Sequence, residues 1–239
     1  MPDSKPLAGQ VTLVTGGSRG IGLAIARRLG QMGARVAICA RNSATLRKAE
    51  TTLQEDGAQA LTFSVDVTHA EQIAALVAQV RAKLGEIDIL VNNAGVGVFS
   101  DFLRLTEADW DRVMDTNLKA VFLLTQAVAP SMIARRRGHI VNIISLAGKN
   151  TFAGGSVYCA SKWGLQGLTA CIAEDLRSYG IRVSSVCPGS VHTEFSPHEG
   201  RDTAKMLHPD DIAHVVAMLV TQSPTGFASE VLLRPTQKP

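Results

Sequence analysis

Val11-Thr12-Leu13-Val14-Thr15-Gly16-Gly17-Ser18-Arg19-Gly20-Ile21-Gly22 is the stretch from which the fold is read. Its first five residues are an apolar, β-branched run of strand length that ends on glycine. From Gly20 a helix-periodic pattern runs to residue 32. The glycines between them permit a tight turn and a close approach of the main chain to a phosphate. The helix that follows directs free N–H groups and its positive dipole end at such an anion. A glycine-rich loop alone is weak evidence, because glycines also serve turns and close packing. Position makes this one strong: it follows a buried strand, opens a helix and lies near the N-terminus. No Gly-Lys-Ser/Thr ending follows, which speaks against a P-loop hydrolase.

Outward from this loop, strand-like runs at 11–15, 35–40, 60–65, 87–92, 139–144, 181–187 and 230–234 alternate with longer helix-periodic segments. The helices are expected near 20–32, 44–55, 70–84, 106–135, 157–179 and 209–222. Several strand runs are continuously apolar, as strands covered on both faces must be. In the last helix Asp210 and Asp211 occupy the first turn, and Ile212, Val215, Val216 and Leu219 form a buried stripe. The pattern predicts an α/β, doubly wound Rossmann fold with a seven-stranded parallel sheet and helices on both faces. No repeat or linker divides the chain, so residues 1–239 are expected to form a single domain.

The 239 residues are 46% hydrophobic with a formal net charge of +3, too small and too evenly spread to argue for nucleic acid or an acidic membrane surface. The one dense basic run, Arg135-Arg136-Arg137, reads as a solvated helix terminus. Cys39, Cys159, Cys171 and Cys187 have neither zinc-like nor disulfide spacing, so no metal is expected. Residues 1–10 lack the apolar core of a signal peptide, and no run reads as long enough to span a membrane. A soluble, cytoplasmic protein is the expectation.

Chemistry concentrates in Tyr158-Cys159-Ala160-Ser161-Lys162, with Ser145 thirteen positions upstream. On a helix, i and i+4 share a face, which brings phenol and ammonium together. A phenol of pKa ~10 is a poor proton carrier at neutral pH, and moving it to ~7 requires roughly 4 kcal/mol in favour of the phenolate. One positive charge at about 4 Å in an effective dielectric of ~20 supplies that much. Taken alone the pair reads more readily as a helix-surface contact. At the end of the second strand stands Ile38-Cys39-Ala40-Arg41-Asn42, with an arginine and no carboxylate. An acid there would accept from a ribose 2′-hydroxyl, whereas Arg41, joined by Arg19, suits a 2′-phosphate. The expected cofactor is NADP(H), with NAD(H) the runner-up.

With Asp66-Val67, Asn92-Asn93-Ala94-Gly95, Asn117 and Pro188-Gly189-x-Val191-x-Thr193 added to these motifs, the sequence resembles the short-chain dehydrogenase/reductase family over essentially its whole length. Within that family it is similar to 3-oxoacyl-(acyl-carrier-protein) reductases. The resemblance implies that Ser145 bonds the substrate carbonyl oxygen and that Tyr158 exchanges a proton with it. Lys162 would lower the tyrosine pKa and hold the nicotinamide ribose, and Asn117 would anchor a relay water. The phosphate loop would be Thr15, Gly16, Ser18, Arg19, Gly20, Ile21 and Gly22, with Arg41 and Asn42 beside it. Asp66 and Val67 would meet the adenine, and Asn93, Ala94 and Gly95 the adenosine ribose. Pro188, Gly189, Val191 and Thr193 would line the nicotinamide end, where the cofactor supplies the hydride. Two features depart from the family. Arg234-Pro235 stands where many relatives carry Asp-Gly-Gly, and the segment 194–208 with His198, Arg201 and Asp202 makes a short polar lid.

Val98, Phe99, Leu146, Phe152 and Phe195 are candidate pocket walls, and Ser145, Phe152 and Phe195 the candidate substrate contacts. An apolar wall fits an alkyl or acyl carbonyl better than a sugar. A 3-oxoacyl thioester or a general ketone or aldehyde therefore leads, with Arg201 or Lys205 available to an acidic carrier protein. Dehydrogenation of a polyol, steroid or other secondary alcohol stays open, as does a non-catalytic dinucleotide-sensing protein. Trp163, Leu165 and Leu168 are read as facing outward, which suggests a helix contact in a homodimer or homotetramer. Steady-state kcat/KM with the two cofactors is expected to favour NADP(H) by about ten- to hundredfold, the worth of one charged hydrogen bond; a clear NAD(H) preference refutes the reading of Arg41.

Overall fold

Seven parallel strands lie in the order β3-β2-β1-β4-β5-β6-β7 in the computed structural model, which describes residues 5–195, 200 and 202–239. The strands are β1 (Val11–Thr15), β2 (Arg35–Ala40), β3 (Ala60–Ser64), β4 (Ile89–Asn92), β5 (Gly138–Ile143), β6 (Ile181–Pro188) and β7 (Glu230–Leu233). Seven α-helices lie between them: α1 (Gly20–Gln31), α2 (Ser43–Glu55), α3 (Ala70–Leu84), α4 (Glu107–Met114), α5 (Ala120–Arg135), α6 (Ser156–Arg177) and α7 (Pro209–Val220). Helices α1, α2 and α7 cover one face, with Ile25, Leu29, Leu46, Ile212 and Val216 against the sheet. Helices α3, α5 and α6 cover the other through Ile73, Leu76, Leu124 and Leu176. Burial on both faces is the physical reason the strands read as unbroken apolar runs. His198 and Arg201 lie outside the described residues.

Most boundaries fall within two residues of the sequence reading, as helix and strand ends do. The expected helix at 106–135 is one continuous rod interrupted by a π-helical turn over Asp115–Lys119. Hydrophobic spacing does not reveal that turn, which inserts one residue and rotates Asn117 into full burial. By length and composition the helix Glu107–Arg135 is apolar enough to cross a membrane, contrary to the sequence reading. Here its apolar stripe, including Leu124, Val128 and Met132, packs beneath the sheet.

Two other readings are corrected. Arg135 and Arg137 are not a merely solvated terminus, because both donate to Asp88 Oδ1, at 2.6 and 2.9 Å. Asp88 Oδ2 accepts from Val11 N at 3.0 Å, and Arg135 also donates to Ile87 O at 2.7 Å. One buried carboxylate thus clamps the end of α5 to the starts of β1 and β4. Leu165 faces inward, buried with Val121, Ile144 and Cys187, whereas Trp163 is half exposed. A polar chain then fixes α6 on the sheet. Asn92 Nδ2 donates to Asn142 Oδ1 at 2.8 Å, Asn142 Nδ2 donates to Thr169 Oγ1 at 2.9 Å, and Thr169 donates to Leu165 O at 2.6 Å.

Asp88→Ala leaves two guanidinium groups and the Val11 amide short of their acceptor, and is expected to cost about 2–4 kcal/mol. Urea titration should show a lowered midpoint at an unchanged slope; a midpoint equal to that of the parent protein means that the clamp adds nothing to stability.

Candidate active site

Strand order reverses between β1 and β4, and at their carboxyl ends the crossovers leave for opposite faces, which opens a crevice. Side chains stitch the two strand ends together there. Thr15 Oγ1 accepts from the main-chain N–H groups of Asn93 and Ala94, both at 3.0 Å. Asn93 Nδ2 donates to Thr15 O at 2.9 Å and Gly16 O at 3.3 Å. Gly16 and Gly20 have φ of +64° and +53°, which glycine adopts without strain. A Cβ at Gly22 would collide with Gly16 O and lie 2.5 Å from Asn93 Nδ2. Gly22 and Thr15 therefore shape the loop from behind, and neither lines the crevice as the resemblance implied. Arg19, the residue before α1, makes no side-chain cap, so the first-turn N–H groups keep their donors for an anion.

The crevice continues past the ends of β5 and β6 as a cleft of about 1220 Å³. Of the residues expected to hold a cofactor, Gly16, Ser18, Arg19, Gly20, Ile21, Arg41, Asn42, Asp66, Val67, Asn93, Ala94, Gly95, Pro188, Gly189, Val191 and Thr193 line it. Asn42 spends its Oδ1 on capping α2, accepting from Ala44 N and Thr45 N at 2.9 and 3.0 Å. Asp66 Oδ1 accepts from the N–H and hydroxyl of Thr68 at 3.0 and 2.8 Å. Burial pushes the Asp66 carboxyl up, but those bonds and the charges of Arg41 and His69 outweigh it and hold the carboxyl below its usual range. The loop and its free amides fit a dinucleotide pyrophosphate, and the arginines flank the place where an adenosine phosphate would lie. Among the described residues no cluster of His, Cys, Asp or Glu is arranged to hold a metal.

At the inner end stand Ser145, Tyr158 and Lys162. Ser145 follows β5, its hydroxyl accepts from Ala147 N at 3.1 Å, and it lies near enough to the Tyr158 phenol to favour the phenolate. Lys162 Nζ donates to Ile143 O at 3.1 Å and lies 5.8 Å from the Tyr158 ring centroid. Asn117 lies behind this wall. Its Oδ1 accepts from Val96 N at 2.8 Å, and its Nδ2 donates to Val96 O at 2.9 Å and Ser161 Oγ at 3.0 Å. Ser161 in turn donates to Tyr158 O at 2.7 Å. The π-helical turn thus braces both the strand-end loop and the first turn of α6.

Burial works against the expected activation of the phenol by Lys162. Burial pushes Tyr158 up to about 12, with the Ser145 hydroxyl opposing and the Cys159 thiol adding to it. Burial pulls the Lys162 ammonium down to about 8, with Cys187 opposing. The spacing of the two residues implies a solvated charge at close range; here both groups are desolvated, and that effect wins.

Sequence reasoning missed part of the wall. Residues 234–239 run along the cleft, with Pro235 Cδ only 2.9 Å from where a Cβ on Gly189 would stand. Only the glycine at 189 hinted that another chain segment approached. Thr45, Asn150, Ser190 and Glu194 line the cleft without any motif to mark them, whereas Val98 is not among the lining residues.

The short chain dehydrogenase family model matches residues 10–205, and the chain belongs to that family. It is an oxidoreductase by that membership. It is 34% identical to the 3-oxoacyl-[acyl-carrier-protein] reductase of Vibrio cholerae, over 95% of this chain and 96% of the relative. A metagenomic short-chain oxidoreductase solved in complex with NADP superposes with a TM-score of 0.87 at 50% identity, covering 98% of this chain and 100% of the other. A variant of actinorhodin polyketide ketoreductase solved with NADPH gives a TM-score of 0.87 at 36% identity, over 94% and 95% of the two chains.

The chain has two tyrosines, so the difference in ultraviolet tyrosinate absorbance between the protein and its Tyr158→Phe variant reads Tyr158 alone. In the cofactor-free protein that difference is expected to remain flat through pH 10 and to rise near pH 12. A midpoint below 9 refutes dominance by burial.

Proposed function

We propose that the protein uses NADPH to reduce the carbonyl of an apolar ketone or 3-oxoacyl thioester to the alcohol. The observation that carries this reading is the placement of Ser145, Tyr158 and Lys162 together in the wall of one cleft, with the Lys162 ammonium 5.8 Å from the Tyr158 ring centroid. When bound, the cofactor supplies a hydride to the carbonyl carbon. Ser145 and Tyr158 together present two O–H groups to one carbonyl oxygen, which orients it and stabilises the charge that develops. Tyr158 stands as the neutral acid, the form that reduction consumes, and gives its proton to that oxygen. The phenolate left behind lies near Lys162, whose ammonium persists at neutral pH because its pKa stays near 8.

Asn117 holds Val96 and Ser161, and so fixes the wall beside Gly95 and Lys162. One lone pair of its Oδ1 stays available for the water that would return a proton through Lys162. The cofactor is NADP(H): Arg19 and Arg41 supply two cations at the adenosine end, and both similar solved structures were obtained with NADP or NADPH. The Vibrio cholerae relative supports the oxoacyl thioester as one substrate class.

Tyr158→Phe keeps the ring packing and deletes the transferable proton. Its kcat for carbonyl reduction is expected to fall by about 10²–10⁴-fold, with the Kd for NADPH changed only a few-fold. Parental turnover in that variant defeats the role of the phenol. NADPH consumption against a panel of acetoacetyl thioesters, diketones, aldehydes and ketones tests the reaction itself.

A further inference from the structure

Phenylalanines from two separate loops meet the Tyr158 ring, and a third, from another loop, packs beside one of them. Phe99 follows β4, Phe152 precedes α6 and Phe195 follows β6. Phe99 meets Tyr158 edge-on, with centroids 5.4 Å apart and 67° between planes, and Phe195 approaches at 5.8 Å and 52°. Phe152 extends the group, 6.0 Å from Phe99. The three rings are 40%, 49% and 42% exposed in chain order, whereas Tyr158 beneath them is buried. They belong to none of the hydrophobic clusters of the core, and all three line the cleft.

The backbone is cut back to seat them. A Cβ on Gly97 would lie 2.7 Å from the Phe99 ring and 3.3 Å from that of Phe195, and a Cβ on Gly155 would lie 2.5 Å from Phe152. Rings of this size normally finish inside a core. Contiguous apolar area held at the mouth of a cleft marks a place where a ligand covers it. A sugar or polyol would find few polar partners on this wall.

We infer that Phe99, Phe152 and Phe195 form a slot for an aromatic group attached directly to the substrate's carbonyl carbon, which makes aryl ketones the preferred substrate class. The inference rests on the carbonyl reduction proposed above. Aromatic rings gain from edge-to-face and offset contacts that a saturated ring of the same size cannot make. Two such contacts already exist around Tyr158, and a substrate ring entering from the cleft extends the set. Each new ring pair favours the aromatic ligand by about two- to tenfold.

The test compares acetophenone with cyclohexyl methyl ketone, which differ in aromaticity at nearly equal volume. Binding of each ketone to the complex with NADP+ is followed by competition in saturation-transfer NMR, and turnover with NADPH is followed in parallel. The unmodified protein is expected to bind the phenyl ketone about tenfold more tightly. The ratio of kcat/KM for the two ketones is expected to fall about fivefold or more in both F99L and F195L. Comparing that ratio between proteins cancels the lower intrinsic reactivity of the conjugated carbonyl. Equal binding of the two ketones overturns the slot, as does a ratio that neither substitution moves. Should the phenyl preference appear in binding while no carbonyl is reduced, the reduction fails and the slot stands. Turnover of both ketones with equal binding of the two overturns the slot and leaves the reduction standing. Binding to the unmodified protein decides the matter even if a variant folds poorly.

Discussion

The structure depends on how two strand ends are closed where the sheet changes direction. At the carboxyl ends of β1 and β4 the chain must leave toward opposite faces, and the main-chain groups exposed by that divergence need partners. Thr15 and Asn93 provide them, each bonding main-chain atoms of the other strand's end. This seam holds the positive-φ conformations of Gly16 and Gly20 and leaves the first-turn amides of α1 facing an open crevice. An anion-binding site thus follows from a packing requirement. The polar side chains that build it spend their hydrogen bonds on the scaffold and present main chain to the cleft.

The second constraint is electrostatic. Burying a phenol and an ammonium side by side penalises the charged form of each, so the resting site holds a firmly protonated Tyr158 and a weakened Lys162 cation. Such a pair suits the proton donation in the proposed carbonyl reduction. Its geometry is maintained from below by the chain of hydrogen bonds from Asn92 through Asn142 to Thr169, and from the side by Asn117 and Ser161. The side chains of neither network line the cleft, yet both fix the helix that carries Tyr158 and Lys162. Supporting partners of this kind are what keep such a constellation aligned.

Much of the fold and of the site is legible in the sequence because local patterns carry it. Continuous apolar runs mark strands buried on both faces, and the spacing of Tyr158 and Lys162 marks a shared helix face. Other signals are ambiguous in kind. A glycine required for close packing looks the same as one required for a phosphate, so Gly22 and Thr15 read as cleft residues when they lie behind it. Arg135 and Arg137 look like a solvated terminus because their partner, Asp88, is distant in sequence. The π-helical turn leaves no trace in hydrophobic spacing, and the approach of residues 234–239 to the cleft is a contact between segments far apart in the chain.

The sequence by itself determined the order of strands and helices, the phosphate-facing loop and the chemical identity of the site, since these rest on interactions between residues close in the chain. Tertiary structure alone decided the burial that pushes Tyr158 up and pulls Lys162 down, and the packing of Phe99 and Phe195 against the phenol ring with Phe152 beside Phe99. Solvent exclusion and ring-to-ring approach depend on segments separated by many tens of residues, and no local pattern encodes how those segments meet.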